Sequence, residues 1–153
     1  MPKLLKVTSG GNSIRERPYS RLVSLLRDAG LRPTRQRLAL GRLLFDGEDR
    51  HVTAEILHDE IEKAQVSVSL ATVYNTLHQF TDAGLLREVV VDSGRTYFDT
   101  NVSEHHHFFL EKEGTLQDIP DGAVEIGKLP KTPNGKKFSR VEVIIHVAEE
   151  YSA

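Results

Sequence analysis

Leu70-Ala71-Thr72-Val73-Tyr74-Asn75-Thr76-Leu77-His78-Gln79-Phe80 is the stretch that decides how this chain folds. Leu70, Val73, Leu77 and Phe80 recur at helical spacing, so one stripe of this helix faces inward. The helix starts after Ser67 or Ser69 and ends at Gly84. Ala71, Thr72, Tyr74, Asn75 and His78 are left on or near the outward face. Small groups there permit close approach to a nucleic-acid groove, and hydroxyls and amides suit base edges or phosphate. An ordinary amphipathic surface helix carries such residues too, so the flanking segments decide.

Downstream, Leu85 to Val91 and Thr96 to Asp99 are β-rich runs around the turn signal Asp92-Ser93-Gly94-Arg95, which predicts a hairpin. Upstream, a helix from Pro18 buries Leu22, Leu25 and Leu26 and stops at Gly30. A second runs from its cap at Thr34 to about Phe45 and buries Leu40, Leu43 and Leu44. Thr53 caps a third, with Glu55 in its first turn and Ile56, Leu57 and Ile61 as its core. Short helices followed by a hairpin are the order of a winged helix-turn-helix, with Arg95 at the wing tip. Residues 1–17, polar and containing Ser9-Gly10-Gly11-Asn12-Ser13, are expected to be a flexible arm.

Charge is distributed unevenly. Residues 1–45 carry ten Lys or Arg against Glu16 and Asp28, while the remainder has ten bases against twenty acids. A basic segment beside a groove-reading helix points to a polyanion partner. No run approaches the roughly 20 apolar residues of a membrane span, and a cytoplasmic location is expected. With no cysteine, any metal must be held by nitrogen and oxygen, which suits iron, manganese, zinc or nickel.

Beyond the hairpin the character changes. His105 to Leu110, Gly114 to Ile119 and Val141 to Val147 read as strands, and Ala123 to Leu129 as a short helix. The expected fold is therefore α+β, with a winged helix over residues 18–101 and a small α/β domain over 102–153. Some 50 residues bury little apolar surface alone, so the second domain is expected to dimerise. Within it stands Glu104-His105-His106-His107-Phe108-Phe109. A strand would place His105 and His107 on one face, about 7 Å apart, and His106 on the other. Two imidazoles on one face can share a metal, and the third can serve a different site. A solvated polar turn is the plain alternative. His58 and His78 read as surface residues.

Leu31-Arg32-Pro33-Thr34-Arg35-Gln36-Arg37, His51-Val52-Thr53-Ala54-Glu55, Leu70 to Leu77, Asp82-Ala83-Gly84-Leu85 and the histidine triplet together resemble the ferric-uptake-regulator superfamily, over residues of about 20 to 148. The resemblance implies a dimeric winged-helix transcription factor, mainly a repressor, on a double-stranded DNA operator under metal control. It implies a sensory metal site of His51, Asp99, His105 and His107 between the domains, with Asp99 in place of the usual Glu. A second site, within the dimerisation domain, is implied at Glu104, His106, Glu125 and His146, with Glu104 for the usual His and His106 for the usual Asp. The paired Cys-x-x-Cys motifs of many members are absent, Leu110 and Glu113 occupying the first pair, and Asn75 replaces a common Arg.

The triplet followed by Phe108-Phe109 looks most like the iron-response regulator branch, which implies haem as an effector, candidate ligands being His105, His106 and His107. That branch represses haem-synthesis and iron-using genes, and its implied partners include haem or a haem-synthesis enzyme. For DNA, Thr72, Tyr74 and Asn75 are the expected groove contacts, Arg32, Arg35 and Arg37 the phosphate clamp, and Arg95 the wing contact. Iron or manganese is the expected metal, with zinc admissible. A manganese, zinc or peroxide sensor of the same superfamily is the alternative. A His/carboxylate metalloenzyme is a distant third, because it gives the basic segment and the helical reading face no role.

Overall fold

The structure is a computed structural model in which residues 19–151 are described. The arm expected at 1–17 lies outside the described residues. The chain divides between Val102 and Ser103 into two compact units.

The first unit holds four helices, α1 (Ser20–Asp28), α2 (Arg35–Phe45), α3 (Ala54–Lys63) and α4 (Leu70–Asp82). Three start on a side-chain cap: Thr34 accepts from the Arg37 amide, Thr53 from Ile56 and Ser69 from Thr72. Each cap satisfies one backbone donor that the first turn would otherwise leave without a helical partner. Gly84, at φ 80°, takes the left-handed conformation that ends α4. Leu26, Leu40, Leu57, Val73, Leu77, Phe80 and Phe98 are wholly buried in one core. Burying each such side chain contributes about 1.5–3 kcal/mol. A Cβ on Gly41 would lie 2.9 Å from Leu22 Cδ1, so α1 and α2 approach closely there.

Two core expectations need correction. Ile56 is 44% exposed and Leu70 37% exposed. Both lie in the first turn of their helices, where Leu57 with Ile61, and Val73 with Leu77, already fill the inward stripe.

Helix α3 is preceded by β1 (His51–Val52), and α4 is followed by β2 (Arg87–Asp92) and β3 (Arg95–Asp99). These form a sheet in the order β1-β3-β2, antiparallel throughout, with a bulge between Val90 and Asp92. The predicted hairpin and its turn are thus present, and β1 adds a strand that the sequence reading lacked. Arg50 fastens β1, donating to Leu43 O (2.9 Å) and to Glu60 Oε2 (2.7 Å). Its backbone amide meets Thr100 Oγ1 at 2.8 Å, and its carbonyl accepts from the Thr100 amide.

The second unit is a three-stranded sheet of β4 (His107–Leu110), β5 (Thr115–Asp118) and β6 (Ile144–Val147). Its order is β5-β4-β6, with β5 antiparallel and β6 parallel to β4. Three expectations are corrected here. The first strand begins at His107, not His105, so strand alternation does not govern the whole triplet. No helix forms over 123–129; Gly122 and Gly127 bracket a stretch too short to offset their cost in backbone entropy. The last strand spans Ile144–Val147 where one was expected from Val141, and its Ile145 and Val147 are exposed.

Candidate metal centre and nucleic-acid interface

In the first unit, strand register sets the chemistry. Asp99 sits on the central strand with His51 as its register partner on one side and Arg87 on the other. Residues paired across a sheet share a face, so the imidazole meets the carboxylate. His51 Nε2 lies 3.1 Å from Asp99 Oδ2, and Asp99 is fully buried. The other carboxylate oxygen accepts from the Asn101 amide at 2.8 Å. A cation between them would meet one nitrogen and one oxygen donor, the carboxylate being held by the Asn101 amide.

In the second unit, His107 opens β4 opposite Asp118 at the end of β5. Asp118 Oδ1 lies 3.1 Å from His105 Nε2 and 3.4 Å from His107 Nε2. The two rings are 4.4 Å apart, centroid to centroid. Donor atoms of His105, His107 and Asp118 all fall within 4.8 Å of one another. His105 precedes the strand, and its Nδ1 is 2.7 Å from Ser103 O. A carbonyl only accepts, so Nδ1 carries the proton and Nε2 is the ligating nitrogen. That backbone contact fixes the tautomer a metal needs. Glu142 Oε1 stands 3.8 Å from His107 Nδ1 and receives Arg140 Nη2 on its other oxygen at 3.6 Å.

Sequence reasoning missed Asp118 and Glu142. Asp118 was within reach, because reflecting His107 through the turn at Glu111–Gly114 lands on it. Glu142 had no local signal; it depends on the parallel pairing of β6.

The four residues of the implied second site are not brought together among the described residues. Glu104 and Glu125 are exposed. His106 Nδ1 accepts from the Val143 amide at 3.0 Å. His146 packs edge-on against Phe109 and lies 3.8 Å from Glu111. A different group, unforeseen, gathers His58, Asp59 and Glu62 on α3. His58 Nε2 points at Val68 O (3.0 Å) and Glu62 Oε1 (3.4 Å), both acceptors, so it ties the α3–α4 connection through its N–H. His58 is therefore more than a surface residue.

On the face of α4, Thr72, Tyr74 and Asn75 project as the periodicity predicts, half-buried, half-buried and exposed. The Tyr74 hydroxyl donates to Glu55 Oε1. This bond holds the Glu55 carboxyl below, and the Tyr74 phenol above, their ordinary pKa ranges. Arg32 and Arg35 are exposed. Arg37 is engaged: Nη2 meets Gln79 Oε1 at 2.9 Å and Nη1 meets Arg32 O at 2.9 Å, which ties α2 to α4. At the hairpin tip Arg95 reaches Asp92 Oδ2 through Nε (2.9 Å) and Nη2 (2.5 Å), and the guanidinium holds the Asp92 carboxyl below its usual range.

Comparison with known proteins fits both units. The peroxide-responsive repressor PerR of Staphylococcus epidermidis is 34% identical over 97 residues, 63% of this chain and 64% of the relative. The match thus spans a little under two thirds of that relative's length. The ferric uptake regulator of Pseudomonas aeruginosa, solved with manganese, is 27% identical with a TM-score of 0.64, over 84% of this chain and 97% of that one. The Vibrio cholerae ferric uptake regulator shares the fold, with a TM-score of 0.66 at 23% identity over 83% of this chain and 98% of that one. Residues 28–146 match the ferric uptake regulator family, from the end of α1 through β6, and the chain belongs to that family.

Proposed function

We propose that the protein is a transcriptional regulator that binds an operator in double-stranded DNA as a homodimer, under control of a divalent metal. His105, His107 and Asp118 in the second unit are its ligands, His51 and Asp99 form a further candidate donor pair within the first, and no catalytic turnover is involved. The observation that carries this reading is the His105–His107–Asp118 group, whose donors converge within the second unit. Imidazole nitrogens with carboxylate oxygens suit manganese, iron or zinc, and the Pseudomonas relative was solved with manganese. A bound cation would supply the positive charge that Asp118 calls for beside His105 and His107. The chain's own residues do the rest: Ser103 O orients His105, the Asn101 amide orients Asp99, and α4 presents Thr72, Tyr74 and Asn75 to the major groove. Among the described residues no helix is long and apolar enough to cross a membrane.

Operator binding measured by fluorescence anisotropy, with and without manganese, tests this. Metal-dependent affinity that falls with salt is expected. Affinity indifferent to both would overturn the reading.

The finer reading is the haem-responsive, iron-metabolism branch. What supports it is a cleft of about 450 Å³ beside His105 and His106, walled by Ile119, Pro120, Val124 and Phe138. His105, with Nε2 as its ligating nitrogen, is the residue whose chemistry fits haem iron. The peroxide-sensing alternative draws support from the staphylococcal repressor. Titration with haem separates them: a Soret shift lost in His105→Ala supports the first, and no shift in the wild type removes it.

A further inference from the structure

His106 stands between two of the ligands just assigned, yet its hydrogen bonding differs from theirs. The Val143 amide, which can only donate, points at His106 Nδ1 across 3.0 Å. A neutral imidazole has one lone pair, and here Nδ1 spends it on the backbone; the proton is on Nε2. Metal or haem iron needs that lone pair. His106 could supply it only by abandoning Val143 or by losing both protons.

The bond forms part of a clasp. The His107 amide donates to Val143 O at 3.1 Å, so residues 106 and 107 capture both backbone groups of Val143. His106 O accepts from the Ile119 amide at 2.9 Å, just past β5. The segments flanking all three strands therefore meet at His106, beside His105, His107 and Asp118. Glu142, next to Val143, is placed by the same clasp 3.8 Å from His107 Nδ1. At 3.8 Å the contact is an ion-pair distance and not a hydrogen bond, so the buried carboxylate acts on the ligating imidazole through its charge, which raises the ring's basicity.

We propose that His106 is a positioning residue, neither a metal nor a haem ligand: its Nδ1 clasps Val143, and through it Glu142 is held against His107. The inference rests on His107 being a metal ligand. It also means that the dimerisation-domain site implied by sequence lacks one of its four donors.

Two amide substitutions in the full-length protein separate the roles. In His106→Asn the Oδ1 atom takes the place of Nδ1 and can accept from Val143, with nothing at the Nε2 position. In His106→Gln the amide reaches the Nε2 position and leaves Val143 unmatched. Amide hydrogen exchange at Val143 in metal-free protein reads the clasp, and manganese calorimetry reads its effect. His106→Asn is expected to keep wild-type protection and affinity. His106→Gln is expected to lose both, affinity falling about 10–100-fold, the range for loss of a ligand's supporting contact. Full affinity in His106→Gln with loss in His106→Asn would overturn the proposal, as would a His106→Asn variant that fails to fold. Wild-type affinity in both would show that the clasp does not reach the metal, and overturns it too. Wild-type protein that binds no manganese or zinc sinks the metal reading instead, while exchange at Val143 still reports on the clasp.

Discussion

The Tyr74 hydroxyl donates to Glu55 Oε1 across 2.7 Å, linking the middle of α4 to the first turn of α3. The bond needs an ionised carboxylate and a protonated phenol. Because the folded-state value of Glu55 is depressed, its contribution is present above the ordinary glutamate range and is lost as pH falls through the lowered value. Tyr74 runs the other way: its raised value gives stability that is lost only as pH climbs through it. Urea midpoints of Glu55→Gln against wild type should therefore differ at neutral pH and converge in acid. A constant difference across that range would refute the linkage. Tyr74→Phe should weaken operator binding more than it weakens manganese binding.

Asp92 and Arg95 make the corresponding contact at the hairpin tip. In Asp92→Asn the guanidinium is released from its carboxylate and can turn to phosphate. Operator affinity should rise, and the slope of log affinity against log salt should steepen by about 0.9 for one added phosphate contact. An unchanged slope would remove Arg95 from the interface.

Asp118 faces both His105 and His107, so Asp118→Asn should lower manganese affinity by at least about tenfold. The fold should persist, because Asp118 is part-exposed at the end of its strand. Calorimetry alongside circular dichroism checks both halves of this expectation. Equal affinity in wild type and variant would exclude Asp118 as a ligand.

Phe80 is wholly buried and its ring packs 5.8 Å from Phe45, joining α4 to α2. Phe80→Ala should cost the first unit about 3–5 kcal/mol by cavity formation. Thermal unfolding checks the size of the loss.

The parts legible in the sequence are those set by local rules. Thr34, Thr53 and Ser69 were readable as helix starts because a cap needs only an oxygen and an amide three residues on. His105 and His107 were readable as a pair, although the geometry that joins them is not strand alternation but a tight lead-in held by Ser103 O. Ile56 and Leu70 misled because periodicity gives spacing and not the end of the buried stripe. Asp118 and Glu142 depend on cross-strand register, and the tautomer of His106 depends on an amide 37 residues away. None of these is written in any window of neighbouring residues.

Strands β4 and β5 join through a short turn, whereas β6 arrives only after the whole stretch from 119 to 143. Closing a short turn costs less chain entropy and happens sooner than recruiting a distant strand. His105, His107 and Asp118 all lie on the early hairpin or its lead-in. The three donors can thus come together before β6 has joined the sheet. A cation captured at that moment would act as a folding template for the second unit, to which Glu142 and β6 are added last.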